Sequence, residues 1–139
     1  MHVHIFFGMP HGRFWDVDAG HECPILKQPD GNFEIIKDRH GLVLGGMPGI
    51  RYKEYDLMLK PGAKLFVYTD GVPEACNAEK EFFGLDRTVS ALNQEMNETP
   101  QKILENVHNT VNQFVAEAPQ FDDLTMMCLQ YNGMSGSNE

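Results

Sequence analysis

Alternation of apolar and polar positions marks the first half of the chain and predicts strands there. Residues 2–7 and 13–17 alternate on either side of a glycine-rich turn and predict a first hairpin. Residues 24–27 and 33–36 predict a second hairpin. Between them, Pro29 has a fixed φ, and the Asp-Gly that follows it supplies a position free to take positive φ. Both segments therefore favour antiparallel pairing.

A third antiparallel pair is predicted farther along. Residues 52–59 alternate, the Lys-Pro-Gly-Ala turn follows, and an apolar strand then runs to Asp70. After that point the period changes, since residues 85–92 and 103–115 repeat apolar side chains at helical spacing.

The second helix has clear boundary signals. Thr99 is a good N-cap residue, and Pro100 suits the first helical position. Pro119 is expected to end the helix, and residues 124–131 return to strand. Sheets packed face to face with helices outside would bury all of these apolar faces, so the fold class is α/β, more narrowly α+β.

Composition limits the domain organisation and the kind of partner. A chain of 139 residues with 42% hydrophobic content supports one domain with a core. We expect that domain to span 1–132, followed by a flexible polar tail over 133–139. The charge of −9, from 20 acidic and 11 scattered basic residues, argues against a nucleic-acid partner.

Targeting signals and cysteine usage favour a cytoplasmic protein. The sequence contains neither an apolar run of membrane-spanning length nor a signal-peptide pattern. Three widely spaced cysteines without a CxxC pair indicate neither a disulfide framework nor a zinc site. A reducing compartment fits this pattern.

Two acidic turns, about fifty residues apart, suggest a cation site. Asp70 follows an apolar strand, and Gly71 beside it permits a tight turn and close backbone approach. Asp122 and Asp123 precede the last strand. If these strands are neighbours, their carboxylates converge and offer the oxygen ligands that Mg²⁺ or Mn²⁺ prefers. The alternative is an ordinary turn and connector with solvated charges, which short acidic motifs often are.

Five motifs in a fixed order make the interpretation more specific. They are Asp-Ala-Gly-His at 18–21, Gly-Leu-Val-Leu-Gly at 41–45, the run Leu59–Ala75 around Thr-Asp-Gly, Phe-Gly-Leu-Asp-Arg at 83–87 and Gln-Phe-Asp-Asp-Leu-Thr at 120–125. This order resembles the bacterial PPM-type, metal-dependent serine/threonine protein phosphatases. These are the type 2C relatives that include stage II sporulation protein E and the phosphatases of sigma-factor partner-switching pathways.

The resemblance implies a fold, a reaction and a cofactor. The family fold is an α-β-β-α sandwich of two antiparallel sheets flanked by helices. The family removes phosphate from phosphoserine or phosphothreonine in protein substrates, using two Mn²⁺ or Mg²⁺ ions that activate a water. It implies a phosphorylated protein partner in a bacterial signalling pathway.

Carried over residue by residue, the resemblance assigns Asp70 and Asp122 as metal ligands. Asp123 is expected to support the site by hydrogen bonding and Gly71 by its backbone, although adjacent aspartates are not separable from one sequence. Asp18 stands where the family usually has Asn. No side chain is assigned as a catalytic group, because a metal-activated water performs the attack.

One departure from the family bears on activity. Family members carry an Asp-x-x-Gly-His-Gly segment whose Asp bridges both metals, and the printed sequence contains none. We therefore expect an N-terminally truncated domain that holds at most one ion weakly and has little or no activity by itself. An unfilled sheet position would also favour homodimers by edge pairing.

Two rival classes stay open. The first is a non-catalytic interaction module that retains the phosphatase fold. The second is an unrelated metal- or small-molecule-binding protein that shares the Asp-Gly and Asp-Asp turns by chance, which the ordered motifs disfavour.

Overall fold

Two antiparallel sheets and two helices form the structure, a computed structural model that describes residues 7–8, 13–17, 23–37, 54–119 and 123–134. The fold is α+β, as predicted. In chain order, the elements are β1 (Phe7–Gly8), β2 (Arg13–Val17), β3 (Ile25–Lys27), β4 (Glu34–Ile35), β5 (Glu54–Met58), β6 (Lys64–Tyr68), α1 (Gly84–Gln94), α2 (Pro100–Val115) and β7 (Met126–Gln130).

The second predicted hairpin is confirmed, and the first is confirmed where it is described, because residues 2–6 and 9–12 lie outside the described residues. Strands β1 and β2 pair antiparallel with Phe7 opposite Trp15. Strands β3 and β4 pair with Ile25 opposite Ile35, and the Gly31 amide donates to the Gln28 carbonyl at 3.1 Å to close their turn. The turn residues predicted where β3 and β4 pair, but Gly31 does not take the positive φ that was expected there.

The predicted third pair is wrong. Strand β5 joins β2 in a sheet of order β1-β2-β5, whereas β6 lies between β3 and β7 in a sheet of order β4-β3-β6-β7. The turn after β5 therefore carries the chain from one sheet to the other, with the Ala63 amide donating to Lys60 at 2.9 Å. Alternation shows which face of a strand is buried, but it does not identify the neighbouring strand.

Both helices contribute buried side chains to the same core as the β4-β3-β6-β7 sheet. Phe66 and Tyr68 of β6 stack with their ring centroids 5.4 Å apart. The fully buried members of this core include Ile25, Phe33, Phe66, Val72, Phe83, Leu92, Ile103, Val107 and Val111. Because the apolar faces of α1 and α2 repeat at helical spacing, each helix buries one stripe here.

Helix α2 begins as predicted but ends earlier. The Thr99 hydroxyl accepts the Lys102 amide at 3.3 Å, and Pro100 is the first helical residue. The helix ends at Val115 rather than at Pro119. Ala116 takes a positive φ of 51°, and its amide donates to the Asn112 carbonyl at 2.9 Å, which closes the helix before the proline.

The last strand is confirmed, and only part of it faces the core. Met126 and Cys128 pack against the core, whereas Met127 is 47% exposed. Neither α1 nor α2, the helices of the described ranges, has the length and apolar character needed to cross a bilayer.

A buried lysine connects the sheet to the helix pair. Lys64 is 5% exposed, and its ammonium donates to the carbonyls of Met96 at 2.8 Å and Glu98 at 2.7 Å, in the connection between α1 and α2. Burial, and then the nearby charge of Lys27, lowers the pKa of Lys64 from its ordinary value. The two hydrogen bonds hold the inter-helix connection against the first residue of β6.

We expect Lys64→Met to lower the free energy of unfolding by about 1–3 kcal/mol, because two part-buried carbonyls lose a charged donor. Lys102→Met is the matched control, since Lys102 is exposed and reaches Glu98 only at 3.7 Å. It should change stability by less than about 0.5 kcal/mol. Urea unfolding followed by circular dichroism measures both. A Lys64→Met midpoint equal to wild type would contradict this role.

Candidate metal site

Pairing of β6 with β7 brings the two acidic turns to one end of a sheet. The strands are antiparallel with Tyr68 opposite Met126, and the ladder continues beyond them, since the Thr69 amide donates to the Thr125 carbonyl at 3.0 Å. Residues that follow Tyr68 therefore meet residues that precede Met126. The condition that the sequence left open, whether these strands are neighbours, is met.

Gly71 lies directly against the backbone of Asp123. A Cβ atom at position 71 would overlap the Asp123 carbonyl oxygen and would lie 3.2 Å from its carbonyl carbon. No side chain fits there without a shift of backbone, so the close approach requires glycine. The Asp70–Gly71 turn and Asp123 are thus held together by main-chain contact.

Main-chain hydrogen bonds shape the turn that carries Asp70. The Val72 amide donates to the Thr69 carbonyl at 3.1 Å, and the Glu74 amide donates to the Asp70 carbonyl at 2.9 Å. Asp70 is half-buried at the end of this ladder, whereas Asp123 is exposed. A turn closed by its own amides presents Asp70 from a rigid support.

The other predicted ligand lies outside the described residues. Asp122 and the more distant Asp18 and His21 fall there, so the structure reports only Asp70, Gly71 and Asp123 of this set. Within the described ranges, no group of three His, Cys, Asp or Glu side chains is placed to hold a metal. The backbone brings half-buried Asp70 and exposed Asp123 to adjoining strand ends. Carboxylates of this kind offer the oxygen ligands that a hard cation prefers.

A cavity beside this turn had no sequence signal. Its volume is about 460 Å³, and it lies between the loop after Gly71 and the second half of α2. The apolar residues that line it include Ala75, Phe82, Val111, Val115 and Leu124. Periodicity placed Val111 and Val115 on the core face of α2, but the opening between helix and loop depends on their relative positions.

Arg87 has a structural role. Its guanidinium donates to the carbonyls of Phe82 at 2.8 Å and Phe83 at 3.2 Å, and it lies over the Phe114 ring at 4.6 Å from the centroid. These contacts attach the end of the 71–83 loop to α2. The sequence alone did not place Arg87 in or out of the site.

Comparison with known proteins finds one matching family model and two curated bacterial relatives. A family model described as stage II sporulation protein E matches residues 3–132. Protein IcfG of Synechocystis is 30% identical over 135 residues, which cover 95% of this chain and 21% of that protein. Phosphoserine phosphatase RsbU of Bacillus subtilis is 26% identical over 125 residues, covering 89% of this chain and 36% of that protein. The chain therefore spans a fifth to about a third of these curated relatives.

A solved structure shares the fold. The phosphatase domain of the cell fate determinant SpoIIE from Bacillus subtilis, presoaked with Mn, superposes with a TM-score of 0.71 at 13% identity. The match covers 94% of this chain and 56% of that one. The shared architecture confirms the sandwich fold class expected from the ordered motifs.

We expect Gly71→Ala to push the ends of β6 and β7 apart, lowering the free energy of unfolding by about 1–3 kcal/mol. Gly31→Ala is the control, because a Cβ there would meet nothing nearer than 3.9 Å and φ is not positive. Urea unfolding measures the difference. Equal midpoints for the two variants would contradict the tight contact with Asp123.

Proposed function

Because the chain belongs to the stage II sporulation protein E family, we propose that it is the metal-dependent phosphoserine/phosphothreonine protein phosphatase domain of a bacterial signalling pathway. One observation carries the proposal. The antiparallel pairing of β6 and β7 brings the Asp70–Gly71 turn against Asp123, so acidic residues distant in sequence share one sheet end. This is the arrangement that a carboxylate-held cation requires.

The proposed roles follow from the resemblance and from this contact. Asp70 and Asp122 would hold Mn²⁺ or Mg²⁺, Asp123 would support the site by hydrogen bonding, and Gly71 would keep the two turns together. When bound, the metal supplies Lewis-acid activation of the water that attacks phosphorus. The chain's own contribution is to present oxygen ligands from strand ends that do not move apart.

The pathway and the partner are proposed from the relatives. RsbU bears the name phosphoserine phosphatase, which supports a phosphorylated protein as substrate here. The family's name supports a place in sporulation, and the resemblance to the phosphatases of partner-switching pathways supports a place in sigma-factor control. No disulfide joins any two of the described cysteines, Cys23, Cys76 and Cys128, which supports the cytoplasmic location that we propose.

We further propose that these 139 residues, expressed by themselves, turn over little substrate. The resemblance implies a pair of metal ions bridged by the Asp of an Asp-x-x-Gly-His-Gly segment. The printed sequence contains no Asp-x-x-Gly-His-Gly segment, and the described part of the chain offers no three-ligand group. At most one ion would then be held, with water completing its coordination shell.

Calorimetric titration with Mn²⁺ tests the site. We expect weak binding to the wild-type chain and at least roughly tenfold weaker binding to Asp70→Asn, because a charged oxygen ligand is lost. Asp30→Asn is the control, since Asp30 is exposed in the turn after β3. Equal affinities for wild type and Asp70→Asn would refute the assignment of Asp70.

Incubation with Mn²⁺ and a phosphoserine peptide tests the activity of the isolated chain. We expect phosphate release close to the background of the Asp70→Asn variant. Turnover on the order of 1 per second, ordinary for enzymes, would overturn the expectation of low activity while supporting the phosphatase assignment. Absence of both Mn²⁺ binding and turnover would instead favour a non-catalytic interaction module.

Self-association through a sheet edge is also proposed. Among the described strands, β7 has a partner on one side only, and its Met127 side chain is 47% exposed. An open edge of this kind recruits a second strand. Light scattering should show dimers that increase with concentration and that Met127→Lys diminishes. A strictly monomeric mass at every concentration would count against edge pairing.

A further inference from the structure

The cavity beside Gly71 opens at the proposed reaction centre. Gly71 belongs both to the acidic turn and to the cavity wall, so a chain bound with its phosphoserine near Asp70 passes the cavity mouth. The volume of about 460 Å³ lies in the range of small-ligand sites and suffices for one or two large apolar side chains. The cavity and the acidic turn are therefore parts of one surface.

The loop that forms one wall of the cavity is held in shape by its own hydrogen bonds. Cys76 and Phe82 form an antiparallel bridge, and the Asn77 amide donates to the Glu81 carbonyl at 3.1 Å. The Asn77 side chain accepts the Glu81 amide at 2.9 Å and donates to the Glu81 carboxylate at 3.1 Å. Arg87 then ties Phe82 to the α2 side of the cavity. A preformed wall binds with a smaller entropy cost than a loop that must order.

Phe82 stands at the rim with most of its ring in solvent. It is 62% exposed while it lines a mostly apolar cavity together with Val111, Val115 and Leu124. A large aromatic side chain at the edge of an apolar cavity is typical of a binding anchor. Burial of this ring by a partner would remove apolar surface from water.

Charge on the loop beside the cavity favours one kind of occupant. Glu74 and Lys80 line the cavity, and Glu79 and Glu81 are exposed on the same loop, which therefore carries three carboxylates against one lysine. This excess of negative charge disfavours a dianionic phosphate inside the cavity and favours a cation at its rim. An apolar side chain next to Lys or Arg complements both the lining and the rim.

We infer that this cavity docks an apolar residue, flanked by Lys or Arg, of the phosphoprotein substrate, while the phosphoserine lies at the Asp70 turn. The inference rests on the proposed function for the identity of the partner. It assigns substrate selection to Phe82 and the α2 wall, and it assigns no part in the reaction to them. Sequence preference thus arises outside the metal site.

Fluorescence anisotropy with labelled Gly/Ser-based peptides tests the docking. Each peptide carries one phosphoserine and a Leu-Arg pair, and the distance and direction of the pair from the phosphoserine vary across the series. For every Leu-Arg peptide, two control peptides replace the pair by Asn-Arg or by Leu-Glu at the same position. We expect the 139-residue chain to bind the Leu-Arg peptide of one spacing about tenfold more tightly than its Asn-Arg control, and more tightly than its Leu-Glu control. Equal binding of all three at every spacing would overturn the inference.

Phe82→Ser should weaken binding of the preferred peptide about tenfold, since it removes the rim aromatic. Met134→Ser is the matched control, because Met134 is 61% exposed and follows Gly133, which packs against Pro61 at the other end of the sheet. Phe82 is exposed, so its variant should fold, and circular dichroism verifies this. An unchanged affinity for Phe82→Ser would refute docking at this cavity.

Two further measurements separate the possible failures. Anisotropy repeated without Mn²⁺ and with unphosphorylated peptide should still show the loss of affinity that Phe82→Ser causes. If that loss is seen while calorimetry detects no Mn²⁺ binding, the phosphatase proposal is refuted and docking at the cavity is retained. Light scattering of Phe82→Ser identifies the other occupant. Loss of a dimer, with no change in peptide affinity, would show that the cavity receives a second copy of this chain and would overturn substrate docking.

Discussion

The hydrogen-bonded ladder between β6 and β7 positions both the core and the acidic turns. It joins segments about sixty residues apart in sequence, and it continues past both strands to Thr69 and Thr125. Register in such a ladder is strict, because a slip of one residue would turn every side chain to the opposite face. The same pairing that buries Phe66 therefore also determines which residues meet at the sheet end.

The core and the acidic turn are two consequences of that register. On β6, Phe66 and Tyr68 face the helices, and the strand then leaves the core at Asp70. Gly71 permits the chain to pass against the Asp123 carbonyl. A well-packed interior thus ends in a turn whose position is set by main-chain contact, which is what a site built from two distant carboxylates needs.

Arg87 and Lys64 illustrate how cations serve structure in this acidic chain. Arg87 attaches the 71–83 loop to α2 through two carbonyls and the Phe114 ring. Lys64 is buried beneath the connection between the helices, where carbonyls compensate its desolvation. In both cases the contacts direct the cationic group to main-chain carbonyls of this chain. In the proposed docking, selectivity comes from Phe82, the α2 wall and the negative charge of the loop.

Features that arise from neighbouring residues could be predicted from the amino-acid sequence. They are the turn around Gly31, the start of α2 at Thr99 and the strand after Leu124, which follow from local backbone preferences and short-range periodicity. The pairing of β5 with β2 rather than β6, the contact of Gly71 with Asp123 and the cavity beside α2 emerge only in the folded chain. These features depend on how distant segments are placed relative to one another. The alternation of apolar and polar residues in a strand does not specify that placement, because many strand partners satisfy the same alternation.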